Sequence, residues 1–131
     1  HNNFDIIFMV ETSNFIPFGH LALYNFNNSF TKCEYGRIIR GNNIGVKGAM
    51  TVASKKIIEW AFTKLSVNEI FLEVFEDNSK ADSLYKRLGF NVINRKPLAL
   101  IEKDEIKKWT NVSSVERADR VMLEMKVCKT K

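Results

Sequence analysis

The segment 73–90 constrains the fold more than any other part of the chain, because strand, turn and helix signals follow one another within it. The compact apolar run that ends at Val74 is typical of a buried strand. Asn78 stands in the polar turn that follows, and residues 79–88 have the spacing of a short helix. Gly89 then predicts a left-handed cap that ends this helix.

The remainder of the chain extends this pattern into a mixed sheet. Three apolar runs near the start, joined by short polar turns, predict an antiparallel meander. Between residues 47 and 65 apolar residues recur at spacings of three and four, which predicts an amphipathic helix. The predicted strands are residues 5–11, 20–26, 33–40, 70–74, 91–94 and 121–127. This order places the chain in the α/β (α+β) class, with a mixed, mostly antiparallel sheet and two packed helices.

Length and composition indicate one globular domain over residues 1–131. A chain of 131 residues, of which 45% are hydrophobic, can build a single core but not two. No apolar run approaches the roughly 20 residues that span a bilayer, and no secretory signal is visible. We therefore expect a protein without membrane association.

The cysteines, histidines and charges narrow the class of partner. Cys33 and Cys128 stand far apart without metal-ligand spacing, so we expect a reduced, cytoplasmic compartment. The two histidines do not cluster with acidic residues, which predicts no metal site. The net charge of +5 suits a nucleotide, a sugar nucleotide or coenzyme A phosphates, although scattered lysines that keep a domain soluble give the same charge. Nucleic acid is disfavoured, since no dense basic block is interleaved with aromatics.

The motif Asn-x-x-Ala-x-x-Leu-Tyr-x-x-x-Gly-Phe at residues 78–90 resembles the acyl-CoA-binding half of the GCN5-related N-acetyltransferase family. The resemblance covers residues 5–95 and implies that acetyl-CoA is the cosubstrate, with the acetyl group passed directly to a primary amine. Residues 97–131 would then be a long loop and a final strand. The family's first strand and first two helices have no counterpart in this sequence, and we expect them to be missing.

The resemblance implies a coenzyme site on three elements. In the family, the first N–H groups and positive dipole end of the long helix hold the pyrophosphate. The strand before this helix pairs with the amide-rich pantetheine arm, and an asparagine after the next strand binds the arm from the other side. The residues at these positions are Ile38, Ile39, Arg40, Val46, Lys47, Gly48, Ala49, Met50, Thr51 and Asn78.

Asn78 has a second interpretation, and two residues of the phosphate loop depart from the family. Asn78 would serve equally well as the cap of the helix that follows it. In the phosphate loop, Gly45 stands where the family has Gln or Arg, and Met50 stands where a second small residue is usual. A glycine at position 48 would let the backbone approach phosphate oxygens closely.

Tyr85 and Glu34 are the catalytic candidates. The resemblance implies that the Tyr85 phenol protonates the departing coenzyme A thiolate, and a buried tyrosine with a satisfied hydroxyl is the alternative. Glu34 is the candidate general base, because family members often have a catalytic glutamate on that strand. Glu11 and Glu73 are alternative candidates for the general base. Holding the acceptor amine close to the thioester would also suffice for transfer without a dedicated base.

The sequence leaves the acceptor amine open. The sequence of residues 34–41 and 48–51 looks most like that of bacterial family members that act on amino-sugar nucleotides. Members that modify protein amino termini are nearly as similar, and a non-catalytic acyl-CoA-binding protein would keep the same fold. The oligomeric state is open between a monomer and a homodimer. Trp109 would either cover the acceptor or anchor its segment to the core. The arginines that could meet a nucleotide diphosphate are Arg37, Arg40, Arg117 and Arg120.

Overall fold

The computed structural model of the chain describes residues 4–11, 13–40 and 48–130. The strands are β1 (Ile6–Glu11), β2 (Pro17–Tyr24), β3 (Lys32–Arg40), β4 (Glu69–Phe75), β5 (Asn91–Lys103), β6 (Ile106–Asn111) and β7 (Arg120–Cys128). The helices are α1 (Ala49–Lys64) and α2 (Ser79–Arg87), and a 3-10 turn occupies Val115–Arg117. Mostly antiparallel strands with two helices confirm the predicted α/β class.

Two compact units make up the chain. The first comprises His1–Leu72 together with Val127–Lys131, and the second comprises Glu73–Lys126. Strand β4 therefore begins in the first unit and ends in the second.

The first unit contains the predicted meander. Strands β1, β2 and β3 pair antiparallel in succession. The turn into β3 is held by Asn27, whose Oδ1 accepts from the N–H groups of Thr31 and Lys32 at 2.8 and 2.9 Å. Helix α1 is the crossover that allows β4 to lie parallel to β3.

Helix α1 packs through the apolar stripe that its sequence predicts. Its buried residues are Met50, Ser54, Ile57, Ile58 and Ala61. Ser54 is polar, and its hydroxyl is hydrogen-bonded to the buried Tyr35 hydroxyl of β3. Trp60 contacts Phe8 of β1 with ring centroids 5.5 Å apart. Each large apolar side chain buried in this way contributes roughly 1.5–3 kcal/mol.

The second unit is built around an antiparallel pairing of β5 with both β6 and β7. A register shift in the β5–β7 pairing leaves Ile93 as an extra residue, which makes a bulge in β5. The buried apolar side chains of this unit are Val74, Tyr85, Phe90, Leu98, Leu123 and Met125.

The prediction of a long loop after residue 97 is wrong, because most of this segment forms β-strands. Strand β5 continues to Lys103, and β6 returns beside it after a turn at Asp104 and Glu105. Both turn residues have positive φ, 52° and 67°, as a tight hairpin with matching twist requires. Glycine or asparagine usually marks such a turn, and most residues of this hairpin are exposed on both faces. The sequence therefore contained neither the usual turn residues nor the alternation of apolar and polar residues that marks a half-buried hairpin.

Neither helix in the described part of the chain has the length and apolar character needed to cross a bilayer.

Candidate functional site

Strand β3 has a bulge at Arg37 and Ile38. The β2–β3 register shifts at this point, so these two residues lie opposite Leu21 alone. Arg37 has a φ of 52°, in the left-handed region that few residues with side chains adopt. A bulge takes one residue out of the hydrogen-bonded ladder and increases the local twist. The strand expected to bind the pantetheine arm is therefore irregular at Ile38.

Side chains of β2 and of the residue that precedes β1 fix this bulge. The Arg37 guanidinium donates to the Asp5 carboxylate, and it lies 4.1 Å from the ring centroid of Tyr24. The same Tyr24 ring restricts position 36, because a Cβ on Gly36 would lie 2.9 Å from the tyrosine oxygen. A side chain at position 36 would therefore have to displace the Tyr24 hydroxyl, and the bulge itself is held by an ion pair and a cation–π contact.

The parallel pairing of β3 with β4 is short. It joins Lys32–Glu34 to Glu69–Phe71, and β3 then continues to Arg40 beside β2. A strand that extends past its paired segment can offer peptide groups to an extended, amide-rich ligand. The predicted strand site begins beyond this pairing, at Ile38.

Helix α1 begins with the geometry of an anion-binding end. Gly48 is its N-cap with φ of 83°, and among the residues that the structure describes no side chain caps the helix. The first intrahelical bond runs from Val52 N–H to the Gly48 carbonyl at 3.1 Å, so the N–H groups of Ala49–Thr51 have no partner within the helix. The first turn contains no acidic residue. These N–H groups can hold a phosphate.

The role of Gly48 is conformational rather than spatial. A Cβ at this position would meet no atom within 4 Å, whereas its positive φ is rarely adopted by L-residues with side chains. The Met50 side chain is 6% exposed and lies in the core, so only its backbone N–H could bind phosphate. Burial of this side chain explains why a large residue is tolerated in the loop motif. Val46, Lys47 and the side chains of Ile39 and Arg40 lie outside the described part of the chain.

Glu34 is half-buried on β3, and its carboxylate accepts a hydrogen bond from the Asn25 amide. The adjacent residues on either side, Cys33 and Tyr35, point to the buried face, so Glu34 lies on the opposite face of the sheet. Burial, and to a smaller extent the Glu34 charge, raises the pKa of the Cys33 thiol to about 12. Cys33 is therefore neutral near pH 7 and has no nucleophilic character.

The second unit contains Asn78, and here the structure shows the capping interpretation. Asn78 is the N-cap of α2, and its Oδ1 accepts from the Ala81 N–H at 3.4 Å. Its own N–H donates to the Phe75 carbonyl at 3.0 Å. The Asn78 side chain is exposed, so capping occupies its oxygen without removing its amide group from solvent.

Tyr85 lies near the end of α2 and is 9% exposed. The helix ends in a Schellman motif, in which Phe90 N–H donates to the Tyr85 carbonyl at 3.0 Å and Gly89 N–H donates to the Lys86 carbonyl at 3.1 Å. Gly89 has the predicted left-handed conformation, with φ of 96°. The rings of Tyr85 and Phe90 meet edge to face with centroids 6.0 Å apart. The backbone and the ring of Tyr85 are both fixed by these contacts.

Arg120 was proposed above as a partner of a nucleotide diphosphate, and the structure gives it a different partner. Its Nε and Nη2 atoms donate to the two carboxylate oxygens of Asp77 at 2.8 and 2.6 Å. Its guanidinium also lies 3.4 Å from the ring centroid of Phe75. Arg37 is likewise engaged, by Asp5. Trp109 contacts Phe75 at a centroid distance of 5.4 Å, as expected of an anchor.

The structure therefore groups the expected residues by unit. The first unit contains the bulged strand, Glu34 and the start of α1, and the second contains Asn78 and Tyr85. Sequence reasoning missed the ion pair of Asp77 with Arg120, whose partners are 43 positions apart. It also missed the left-handed Arg37, since no glycine marks this bulge. Across the described ranges, no cluster of three His, Cys, Asp or Glu side chains could hold a metal ion.

Comparisons with known proteins find relatives among the acetyltransferases. Acetyltransferase PseH of Campylobacter jejuni is 36% identical over 73 residues, which cover 55% of this chain and 45% of the relative. Spermidine N(1)-acetyltransferase of Escherichia coli is 34% identical over 74 residues, which cover 56% of this chain and 39% of the relative. The Vibrio cholerae enzyme of the same name is 30% identical over 90 residues, which cover 69% of this chain and 51% of the relative. The chain thus spans about half or less of these relatives.

The fold is also that of a solved acetyltransferase. The structure of spermidine N-acetyltransferase from Vibrio cholerae in complex with CoA and spermine has a TM-score of 0.74. The two are 21% identical, and the match covers 98% of this chain and 68% of that one. Residues 1–91 match the family model of the acetyltransferase (GNAT) domain. The chain therefore belongs to the GNAT acetyltransferase family.

Proposed function

We propose that this chain provides the coenzyme-binding part of an N-acetyltransferase, which moves the acetyl group of acetyl-CoA directly to a primary amine. The observation that carries this proposal is the extent of the family match. Residues 1–91 include the bulged strand β3, the uncapped start of α1 and the segment from Asn78 to Phe90.

For the coenzyme, we assign separate tasks to the elements. The N–H groups of Ala49–Thr51 would bind the pyrophosphate, aided by the positive end of the α1 dipole. Strand β3 from Ile38 onward would pair with the amide groups of the pantetheine arm. Asn78 would donate its side-chain amide to the same arm while its oxygen continues to cap α2.

For the reaction, we propose that the amine nitrogen attacks the thioester carbonyl and forms the new C–N bond as the C–S bond breaks. The Tyr85 hydroxyl would give its proton to the departing thiolate and regain one, directly or through water, from the nitrogen as the amide forms. Glu34 is our candidate for receiving the proton that the acceptor ammonium must lose, directly or through water. Cys33 is buried with a raised pKa, which supports direct transfer without an acyl-cysteine intermediate.

The acceptor is a primary amine in this proposal, and three classes compete. The relatives include spermidine acetyltransferases, whose substrate is a polycation. A net charge of +5 on this chain opposes a polycation and favours an acidic acceptor such as an amino-sugar nucleotide. Protein amino termini are a third class. We also propose a reducing, cytoplasmic location, since Cys33 and Cys128 are both free thiols.

Calorimetric titration with acetyl-CoA tests the coenzyme site directly. Saturable binding with one site per chain is the expected result, and a folded chain without affinity would remove the acetyltransferase proposal. Release of the coenzyme A thiol should then be measured with an amino-sugar nucleotide, with spermidine and with a peptide that has a free amino terminus. Turnover with the sugar nucleotide alone would support our preferred acceptor, and turnover with spermidine alone would replace it.

A further inference from the structure

We infer that the ion pair between Asp77 and Arg120 positions Asn78 for coenzyme binding, so that Arg120 sets the affinity for acetyl-CoA without contacting it. This inference rests on the proposed function. It concerns residues of the second unit only, which contains the turn 75–78, helix α2 and strand β7.

The first observation is the geometry of the pair. Arg120 donates through Nε to one Asp77 oxygen at 2.8 Å and through Nη2 to the other at 2.6 Å. A planar guanidinium that meets a carboxylate in this two-bond arrangement fixes the orientation of both groups. Asp77 immediately precedes Asn78 in the chain, so the pair restrains the residue next to the proposed ligand-binding amide.

The second observation is that Arg120 is itself held in place. Its guanidinium carbon lies 3.4 Å from the Phe75 ring centroid and 5.9 Å from that of Trp109. The two rings contact each other, with centroids 5.4 Å apart. Arg120 therefore reaches Asp77 from a β-strand and over an aromatic surface, and few other positions are open to its long side chain.

The third observation concerns the Asn78 side chain, which is held less firmly than the backbone of its turn. Its backbone is joined to β7 by the bond from Glu76 N–H to the Val121 carbonyl, at 2.8 Å. The bond between the Asn78 oxygen and Ala81 N–H is 3.4 Å long, which is weak for a hydrogen bond. The cap alone therefore holds the Asn78 side chain loosely, and the adjacent ion pair supplies the stronger restraint.

The same turn contains a second ion pair that serves as a matched control. Arg95 donates to Glu76 Oε2 through Nε and Nη2, at 2.9 and 2.6 Å. This pair also uses an arginine of a β-strand, here β5, but both of its bonds go to one carboxylate oxygen. Its carboxylate is also one residue further from Asn78. Exposed ion pairs of either kind contribute little to folding stability. An effect on coenzyme affinity that is confined to Arg120 would therefore not reflect a general loss of stability.

The experiment measures acetyl-CoA affinity by calorimetry for the wild type, Arg120→Gln and Arg95→Gln, at a temperature where thermal melts show all three folded. We expect Arg120→Gln to weaken binding about fivefold and Arg95→Gln to change it by less than about twofold. Equal effects of the two substitutions would overturn the inference. Should Arg120→Gln fail to fold, Arg120→Lys keeps the charge without the two-bond geometry and is expected to weaken binding in the same direction.

A double-mutant cycle then separates positioning from direct contact. If Arg120 acts through Asn78, Arg120→Gln introduced into an Asn78→Ala background changes the affinity by less than about twofold. An undiminished effect in that background would mean that Arg120 touches the coenzyme or acts elsewhere, and the inference would be wrong. A wild-type chain that does not bind acetyl-CoA overturns the proposed function first, whereas binding by the wild type with no Arg120 effect overturns this inference alone.

Discussion

The backbone N–H of Phe90 donates to the carbonyl oxygen of Tyr85 at 3.0 Å, and the two aromatic rings meet with centroids 6.0 Å apart. One residue pair thus closes helix α2 through both its main chain and its side chains. Gly89 lies between them in the left-handed conformation that this closure needs. The Gly-Phe ending of the family motif therefore has a structural purpose, because it fixes the residue proposed as the general acid.

Replacing Gly89 by alanine should destabilise the protein by about 1–2 kcal/mol, because a Cβ is unfavourable at a φ of 96°. Urea denaturation followed by circular dichroism measures this loss. Asparagine tolerates the left-handed region better than alanine does, so Gly89→Asn should cost less. Equal stability of the alanine variant and the wild type would show that this cap does not need its glycine.

Replacing Tyr85 by phenylalanine should separate chemistry from binding. The ring and its contact with Phe90 are retained, so acetyl-CoA affinity should stay within about twofold of wild type, whereas turnover should fall about a hundredfold with loss of the proton donor. Calorimetry and a thiol-release assay measure the two quantities. Unchanged turnover would assign the proton to water and leave Tyr85 as a packing residue.

The sequence predicted the helices and strands whose buried side chains recur at regular intervals along the chain. Helix α1 was predicted from its apolar spacing, and β4 from a compact apolar run, because burial selects residues with the period of the element. The β5–β6 hairpin was missed for the opposite reason. Its residues are mostly exposed, and its turn uses Asp104 and Glu105 instead of a glycine.

Some features of the candidate site were likewise predictable from the sequence, and others were not. Gly48, Asn78 and Tyr85 belong to local motifs, so their positions on α1 and α2 could be predicted from the resemblance to the family. The contacts that fix them are not local, as the 43-residue separation of Asp77 and Arg120 shows. The bulge at Arg37 was hidden too, because the left-handed residue is an arginine held by Asp5 and Tyr24 rather than a glycine.

Removal of the Ser54 hydroxyl should destabilise the first unit. Ser54 is fully buried and is hydrogen-bonded to the Tyr35 hydroxyl, so Ser54→Ala takes a partner from a buried polar group at a cost of about 1–2 kcal/mol. Urea denaturation of the single variants and of the Ser54→Ala, Tyr35→Phe double variant measures the coupling. A loss in the double variant equal to the sum of the single losses would show that the two hydroxyls do not depend on each other.

The pair of Asp77 and Arg120 should give a pH-dependent contribution to stability. The hydrogen bond from Arg120 lowers the pKa of Asp77, so the pair stabilises the folded state at pH values above the unfolded pKa of aspartic acid. This contribution is lost as the pH falls through the folded pKa. The difference in stability between wild type and Asp77→Asn should be constant from about pH 5 to 8 and shrink below about pH 4. Urea denaturation across this range checks it, and a difference that grows in acid would contradict the assignment.

The two cysteines should react at very different rates with a thiol reagent. Cys33 is 1% exposed, and burial together with the neighbouring Glu34 charge raises its pKa to about 12, whereas Cys128 is exposed. Only the thiolate reacts, so iodoacetamide at about pH 8 should modify Cys128 alone in the folded protein and both residues in urea. Mass spectrometry of the digested protein identifies the sites. Rapid labelling of Cys33 under native conditions would show that β3 opens readily from the core. The proposal that β3 pairs with the pantetheine arm would then lose its support.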